Sequence, residues 1–147
     1  MSSRVVITGL GAITPIGNTV DEFWNSLCNG QSGVGRITKF DVSELPTQIA
    51  ACVKDFDPVN YMDKKEAKRM DRYTQFAVAA ANMAIKDAEL NLDKIDKERF
   101  GIVLGTGIGG IETLEEQFGV MMQKGPGRVS PFLVPMMIAN MAAGQLS

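Results

Sequence analysis

The stretch FGIVLGTGIGGI, residues 100–111, decides the fold class of this sequence. Residues 100–104 are a short apolar run that predicts a buried strand, and residues 105–110 are a glycine-rich turn. Ile111, Phe118 and Met122 then recur at a spacing that predicts a helix beginning near Ile111. Because a strand, a glycine turn and a helix in this order are the building unit of α/β proteins, the sequence predicts an α/β fold.

Two segments nearer the amino terminus fit the same class. Residues 4–8, in which four consecutive β-branched side chains follow Arg4, predict a buried strand, and residues 48–53 predict a second strand. Between them, Thr19 and Glu22 form a capping box that opens a helix, and Gly30 ends it.

The two cysteines are predicted to be structural. Cys28 lies on the apolar face of the helix that Thr19 opens, and Cys52 lies in the strand over residues 48–53. Both positions favour a small core side chain over a nucleophile. Neither cysteine belongs to a CxxC pair, and the chain has no histidine, so we expect neither a metal site nor an organic cofactor.

Three helices are predicted in the remaining sequence. Asp63 with Glu66 caps a helical stretch, and residues 70–90 follow as an alanine-rich helix that should pack closely on several sides. Residues 136–146 predict a last helix that is apolar nearly all round. An apolar helix needs partners on several faces, so we expect this chain to be part of a larger enzyme.

Charge and targeting signals narrow the class further. The 147 residues carry 15 basic and 17 acidic side chains, a formal net charge of −2, which argues against nucleic-acid binding. The chain shows neither a signal peptide nor an apolar run of membrane-spanning length. We therefore expect a cytoplasmic protein.

One motif favours a different class of protein. Gly105, Gly107 and Gly110 satisfy the G-x-G-x-x-G pattern of dinucleotide-binding domains. That pattern also needs an acidic residue about 20 positions further on to hold the ribose, and residues 127–132 contain none. A dinucleotide-binding domain is therefore the less favoured alternative. In the other interpretation Ile108, the one bulky side chain in the turn, packs in the core or lines a ligand tunnel or subunit interface.

A run of cations marks a possible docking face. Residues 64–72 hold five basic side chains whose spacing predicts one side of a single helix. Such a run is usually a solvated surface, and the alternative is a site that attracts an acidic partner. The five are Lys64, Lys65, Lys68, Arg69 and Arg72.

Four motifs together resemble one enzyme family. They are Val6-Ile7-Thr8-Gly9-Leu10-Gly11 with Thr14-Pro15-Ile16-Gly17-Asn18, Met62-Asp63-Lys64-Lys65-Glu66 with Arg69-Met70-Asp71, the turn at residues 105–110, and Val129-Ser130-Pro131-Phe132-Leu133-Val134-Pro135. In this order they resemble the amino-terminal part of the β-ketoacyl-acyl carrier protein synthases, and most closely the type II, chain-elongating members.

The resemblance implies a thiolase-like fold, a layered α-β-α-β-α arrangement of two similar halves that works as a homodimer. Residues 1–147 would be most of the first half, truncated before the catalytic cysteine. The implied reaction loads an acyl group onto that cysteine, decarboxylates malonyl-acyl carrier protein and joins the two. The cysteine and the two histidines it needs have no counterpart here, so the resemblance implies no catalytic role for any residue of this chain.

The resemblance implies two non-catalytic roles. Lys65, Lys68 and Arg69 match the family's basic docking patch for acyl carrier protein. The acyl pocket near the dimer interface matches Ile108, Ile111, Leu133 and Val134. Leu133 stands where phenylalanine is common in relatives, so the resemblance leaves the preferred chain length open. A non-catalytic module that binds acyl carrier protein is the alternative to the enzyme.

Overall fold

The computed structural model describes residues 4–147. Within these residues the chain forms six α-helices, one two-stranded sheet and three short 3-10 turns. The helices and strands are α1 (Val20–Cys28), β1 (Val34–Arg36), β2 (Ile49–Ala51), α2 (Lys64–Ala67), α3 (Arg72–Asp87), α4 (Ile111–Lys124), α5 (Leu133–Met137) and α6 (Met141–Leu146).

The N-cap predicted for α1 is present, and the reciprocal bond of the capping box is shifted by one residue, to Asn18. The Thr19 hydroxyl accepts a hydrogen bond from the Glu22 N–H at 3.2 Å, and the Glu22 carboxylate accepts from the Asn18 N–H at 2.8 Å. Gly30 follows the helix with a positive φ of 65°, which a glycine adopts without a steric penalty. The sequence therefore predicts both ends of α1 correctly.

The sheet contains one predicted strand and one that the sequence did not reveal. The strand predicted over residues 48–53 is shorter in the structure, as β2, and pairs antiparallel with β1. Val34 lies opposite Ala51, and Arg36 lies opposite Ile49. β1 begins at Val34, inside the glycine- and serine-rich stretch over residues 30–35 that predicts a loop, and its pairing with β2 makes it a strand.

The alanine-rich helix α3 organises the core. Ala79 is fully buried, and α6 packs against α3 with Ala142 also fully buried. A Cβ on Gly11 would overlap the Ala80 carbonyl oxygen, so the amino-terminal segment approaches the helix backbone as closely as only glycine allows. The prediction that this helix packs on several sides is confirmed.

Tyr73→Phe tests the contact that joins α3 to the carboxyl-terminal helices. The Tyr73 hydroxyl donates to the Ile138 carbonyl oxygen at 2.6 Å. Without this hydroxyl the partly buried Ile138 carbonyl loses a hydrogen-bond donor. We therefore expect the free energy of unfolding to fall by about 1 kcal/mol. Urea denaturation measures this loss, and an unchanged midpoint would contradict it.

The two apolar runs at residues 4–8 and 100–104 were predicted as buried strands, and this prediction is wrong for the described part of the chain. Neither run is assigned as a strand there. Val5, Ile7 and Val103 are 92%, 83% and 102% exposed. A strand is stabilised by a hydrogen-bonded neighbour, which residues 4–147 supply to neither run. Ile102 and Leu104 are nevertheless half-buried, so one face of the second run still lies inward.

The helix predicted over residues 136–146 is two helices. The backbone is extended at Ile138, between α5 and α6. The Met137 carbonyl accepts from the Gly110 N–H at 2.9 Å, and the Ile138 carbonyl accepts from the Tyr73 hydroxyl. In a continuous helix these two carbonyls would accept hydrogen bonds from N–H groups four residues further along the helix. Here each accepts from a distant part of the chain, and the helix is interrupted at Ile138.

The predicted core positions of the two cysteines are also wrong. Cys28 and Cys52 are exposed thiols, and Trp24, on the apolar face of α1, is 64% exposed. No element within residues 4–147 covers these side chains. None of the described helices combines the length and apolar character needed to cross a bilayer.

Candidate functional site

The five cations of residues 64–72 do not share one helix, which corrects the sequence prediction. α2 ends at Ala67, a turn follows, and Asp71 then caps the separate helix α3. An N-cap residue has non-helical backbone angles, and Asp71 has ψ 161°, so the helix cannot continue through it. The exposed cations are Lys64, Lys65, Lys68 and Arg69, which together form the basic segment.

The backbone of the basic segment is held firmly while its charged ends remain in solvent. The Asp63 carboxylate accepts from the Lys65 N–H at 2.7 Å. The Gln75 side-chain amide donates to the carbonyls of Ala67 and Met70, at 2.9 and 3.3 Å. Ala67 and Met70 are 5% and 8% exposed and anchor the segment to the core. The segment therefore presents its cations from a fixed position.

Arg72 has a structural role instead of a surface one. Its guanidinium lies 4.8 Å from the ring centroid of Phe56 and 4.9 Å from that of Phe76, and it donates to the Phe56 carbonyl. This placement between aromatic faces stabilises a cation within a partly buried cluster. The residue is only partly exposed and does not belong to the basic segment.

The four residues matched to an acyl pocket lie in the glycine turn and at the first positions of α4 and α5. Ile108, Ile111 and Val134 are 71%, 48% and 57% exposed, while Leu133 is half-buried. α4 packs against α5, and the glycine turn that leads into α4 contacts Met136 and Met137 at the end of α5. We call Ile108, Ile111, Leu133 and Val134 the apolar patch. No element within residues 4–147 faces the apolar patch and encloses it as a pocket.

Cavities described within residues 4–147 have other linings. One of about 570 Å³ is lined mainly by apolar side chains that include Leu92, Phe100 and Leu146. Another of about 460 Å³ lies between the amino-terminal segment and α3, beside Phe76 and Leu104. The structure therefore places the apolar patch on the surface and not inside these cavities.

The glycine turn before α4 is fixed against α5. The Gly110 N–H donates to the Met137 carbonyl, and a Cβ on Gly110 would overlap the Met136 carbonyl oxygen. Gly109 has a positive φ of 84° at the same contact. Both glycines let two backbones meet, and Ile108 projects from the turn they hold.

A buried carboxylate occupies the amino terminus of α4. Asp71, 5% exposed, accepts through Oδ2 from the Thr113 N–H at 2.9 Å and from the Thr113 hydroxyl at 2.6 Å. A dinucleotide site needs the first N–H groups of the helix free for a pyrophosphate. Here those of Gly110 and Thr113 are already bonded, and a carboxylate stands beside them. These contacts argue against the dinucleotide-binding interpretation.

The basic segment meets the region of the apolar patch at Phe132. The Arg69 guanidinium lies 5.3 Å from the centroid of the Phe132 ring. Ser130 fixes the approach of that ring, because its N–H donates to the Gln117 side chain at 2.7 Å and its hydroxyl accepts from the Phe132 N–H. Basic segment and apolar patch are thus parts of one surface region.

Sequence reasoning missed Asp71, Thr113 and Phe132 as members of this region. The signal for Asp71 was its place before an alanine-rich helix, which is typical of an N-cap. No local pattern could link Asp71 to Thr113, 42 positions away. Phe132 stood in a recognised motif, but its contact with Arg69 depends on the tertiary fold.

The arrangement can bind an anionic surface and an apolar chain, and it offers little covalent chemistry. The basic segment attracts anions, and the apolar patch can contact hydrocarbon. Neither cysteine belongs to the region, and the chain has no histidine. In the part of the chain that the structure describes, no three Cys, Asp or Glu side chains are grouped as a metal site.

Comparison with known proteins gives the same assignment as the motifs. The family model described as the beta-ketoacyl synthase N-terminal domain matches residues 2–147. A 3-oxoacyl-[acyl-carrier-protein] synthase 2 of Synechocystis is 52% identical over 141 residues, which cover 96% of this chain and 34% of that relative. The chain thus spans about a third of the length of this curated relative.

Solved ketosynthase structures share the fold. A complex of a type II PKS acyl-carrier protein with its ketosynthase bound to the hexaketide gives a TM-score of 0.81 at 27% identity, covering 99% of this chain and 38% of that chain. The ishigamide ketosynthase/chain length factor gives 0.83 at 33% identity, covering 93% and 34%. The predicted α/β, thiolase-like fold class is confirmed by these likenesses. The chain belongs to the β-ketoacyl synthase family, whose amino-terminal domain it matches.

Proposed function

We propose that residues 1–147 are most of the first half of a fatty-acid chain-elongating condensing enzyme. The observation that carries the proposal is the 52% identity to a 3-oxoacyl-[acyl-carrier-protein] synthase 2 over 96% of the chain. The aligned region is 141 of the 147 residues.

The proposed reaction is a decarboxylative Claisen condensation in two stages. A cysteine thiolate first displaces the carrier protein's thiol from its acyl thioester, so the acyl group becomes bonded to the enzyme. Malonyl-acyl carrier protein then loses CO2, and the electron pair left on carbon attacks the acyl thioester. The new carbon–carbon bond releases the cysteine thiolate and gives β-ketoacyl-acyl carrier protein. None of the groups that perform these steps is assigned to residues 1–147.

In this proposal the basic segment docks acyl carrier protein through Lys65, Lys68 and Arg69. All three are exposed, and their backbone is anchored by Gln75 and the buried Met70. Fixed cations on a protein of net charge −2 attract an acidic partner to one defined place on its surface. A carrier protein was bound to the ketosynthase in one of the similar structures, which supports the same role here.

The apolar patch is proposed as one wall of the acyl pocket. Ile108, Ile111 and Val134 expose hydrocarbon that a fatty acyl chain would cover favourably. The opposite wall would come from the rest of the enzyme and from its partner in a homodimer. The proposed location is the cytoplasm, and the unpaired thiols of Cys28 and Cys52 fit a reducing compartment.

The test is a condensation assay on the intact protein encoded by the complete reading frame. Acyl-acyl carrier protein and malonyl-acyl carrier protein are mixed with the enzyme, and CO2 release is followed. We expect release that depends on both carriers. Binding of the carriers without any release would instead support the non-catalytic binding module.

Ile108→Trp tests the pocket wall. A larger side chain at this position would shorten the pocket, so long acyl chains should react on the order of tenfold more slowly while short chains are little affected. Met122→Trp is the matched control, because Met122 is 70% exposed against 71% for Ile108 and lies at the far end of α4. Equal effects of the two variants on the chain-length profile would contradict the assignment.

A further inference from the structure

Asp71 is a shared cap of two helices. Its Oδ1 accepts from the Tyr73 N–H at 3.3 Å, as the N-cap of its own helix α3. Its Oδ2 accepts both hydrogen bonds from Thr113, in the first turn of α4. Asp71 and Thr113 are 5% and 7% exposed. One buried carboxylate therefore fixes where both helices begin.

The sharing follows from the sequence of the glycine turn. The N-cap position of α4 is Gly110, which has no side chain to accept from the first N–H groups of the helix. Asp71 supplies the missing acceptor from another part of the chain. The positive ends of two helix dipoles then face one carboxylate, and hydrogen bonds to an ionised acceptor are stronger than neutral ones.

The cap lies between the two halves of the candidate site. Asp71 follows Arg69 of the basic segment by two residues, and Thr113 follows Ile111 of the apolar patch by two. Two residues of extended chain reach only about 7 Å, so neither half can shift far without moving the cap. Gln75 strengthens the coupling, because it holds the Met70 carbonyl immediately before Asp71.

On the basis of the proposed function, we infer that Asp71 is a positioning residue for acyl transfer. Its hydrogen bonds to Thr113 hold the apolar patch at a fixed distance and angle from a carrier protein docked on the basic segment. A long acyl chain contacts the patch and depends on this alignment, whereas a short chain does not reach it. Asp71 contacts neither the reacting atoms nor the carrier protein in this role.

Three variants of the intact enzyme test the inference. Asp71→Asn removes the charge, Thr113→Val removes the hydroxyl bond alone, and Thr113→Ser keeps it. The measured quantity is the ratio of kcat/KM for a long-chain to a short-chain acyl carrier substrate. We expect this ratio to fall about tenfold in Asp71→Asn and about threefold in Thr113→Val, and to keep its wild-type value in Thr113→Ser.

Two further measurements separate positioning from folding. The Kd for carrier protein should stay within about twofold of wild type in all three variants, because the basic segment is unchanged. Asp96→Asn is the matched control, since Asp96 is an exposed local cap whose carboxylate accepts from the Glu98 N–H at 3.1 Å. It should leave the chain-length ratio unchanged.

The outcomes distinguish this inference from the proposed function. Equal loss of rate for long and short chains in Asp71→Asn and Thr113→Val would reduce Asp71 to a structural role and overturn the inference alone. If Asp71→Asn does not fold, the comparison of Thr113→Val with Thr113→Ser decides between positioning and a structural role. A wild-type enzyme without condensation activity would reject the proposed function and this inference together.

Discussion

Reversing two charges of the basic segment, in the variant Lys65→Glu/Arg69→Glu, is expected to raise the Kd of the intact protein for acyl carrier protein on the order of 100-fold at low salt. Both side chains are exposed, and their backbone is anchored separately, so the fold should tolerate the change. Attraction to an acidic partner becomes repulsion at the two positions. Titration of the carrier protein by calorimetry or fluorescence anisotropy measures the loss.

A second double reversal controls for net charge. Lys94→Glu/Arg99→Glu changes the charge of the protein equally, and both side chains are exposed in a segment outside the candidate site. This control should change the Kd by no more than about threefold, because the Coulomb energy between two charges falls as their separation grows. If both variants weaken binding to the same extent, the attraction is general and the basic segment is not the dock.

Gly110→Ala has the largest effect that we expect on stability. A Cβ at this position would overlap the Met136 carbonyl oxygen and lie 2.9 Å from the Met137 Cα. Because both neighbours are backbone, relief requires α4 to move away from α5, and the hydrogen bond from the Gly110 N–H to Met137 would be lost. We expect the free energy of unfolding to fall by about 3 kcal/mol or more, measured by urea denaturation.

Gly119→Ala provides the matched control within the same helix. A Cβ on Gly119 meets no atom within 4 Å, and the residue lies in the interior of α4. Alanine there should raise the free energy of unfolding by about 0.5–1 kcal/mol, because it restricts the unfolded chain and favours the helix. Similar unfolding midpoints for the two variants would show that the glycine turn does not need its close contact with α5.

Local sequence signals predicted the helices whose ends and spacing are set by interactions among their own residues. Thr19 and Glu22 marked the start of α1, and the apolar spacing after Ile111 marked α4. Both predictions are confirmed because capping and amphipathic spacing act within one or two turns of chain. The same reasoning failed at residues 64–72, where i, i+4 spacing continued through Asp71 although its cap geometry ends the continuity.

Tertiary contacts decided the features that the sequence could not predict. The break at Ile138 depends on a hydroxyl from Tyr73, 65 positions earlier, and β1 depends on pairing with β2. The apolar runs at residues 4–8 and 100–104 have the composition of strands, but pairing partners, not composition, make a strand. Exposure of Cys28 likewise follows from the absence of a covering element within residues 4–147.

The sequence names candidate site residues one by one but not the contacts that join them. The cation run suggested a docking face and the glycine turn suggested a lining role for Ile108, and the resemblance narrowed the docking residues to Lys65, Lys68 and Arg69. The structure adds the contacts that join the two regions, from Arg69 to Phe132 and from Asp71 to Thr113. Such contacts depend on how α2, α4 and α5 pack, and no pattern along the chain encodes them locally.

Mass spectrometry of the carrier-bound product tests the central proposal most directly. The intact protein is incubated with acyl-acyl carrier protein and malonyl-acyl carrier protein, and the mass of the acyl group on the product carrier protein is measured. We expect a β-ketoacyl group two carbons longer than the starting acyl group, formed with loss of CO2. Recovery of both carriers unchanged, from a folded protein that binds them, would contradict the proposal.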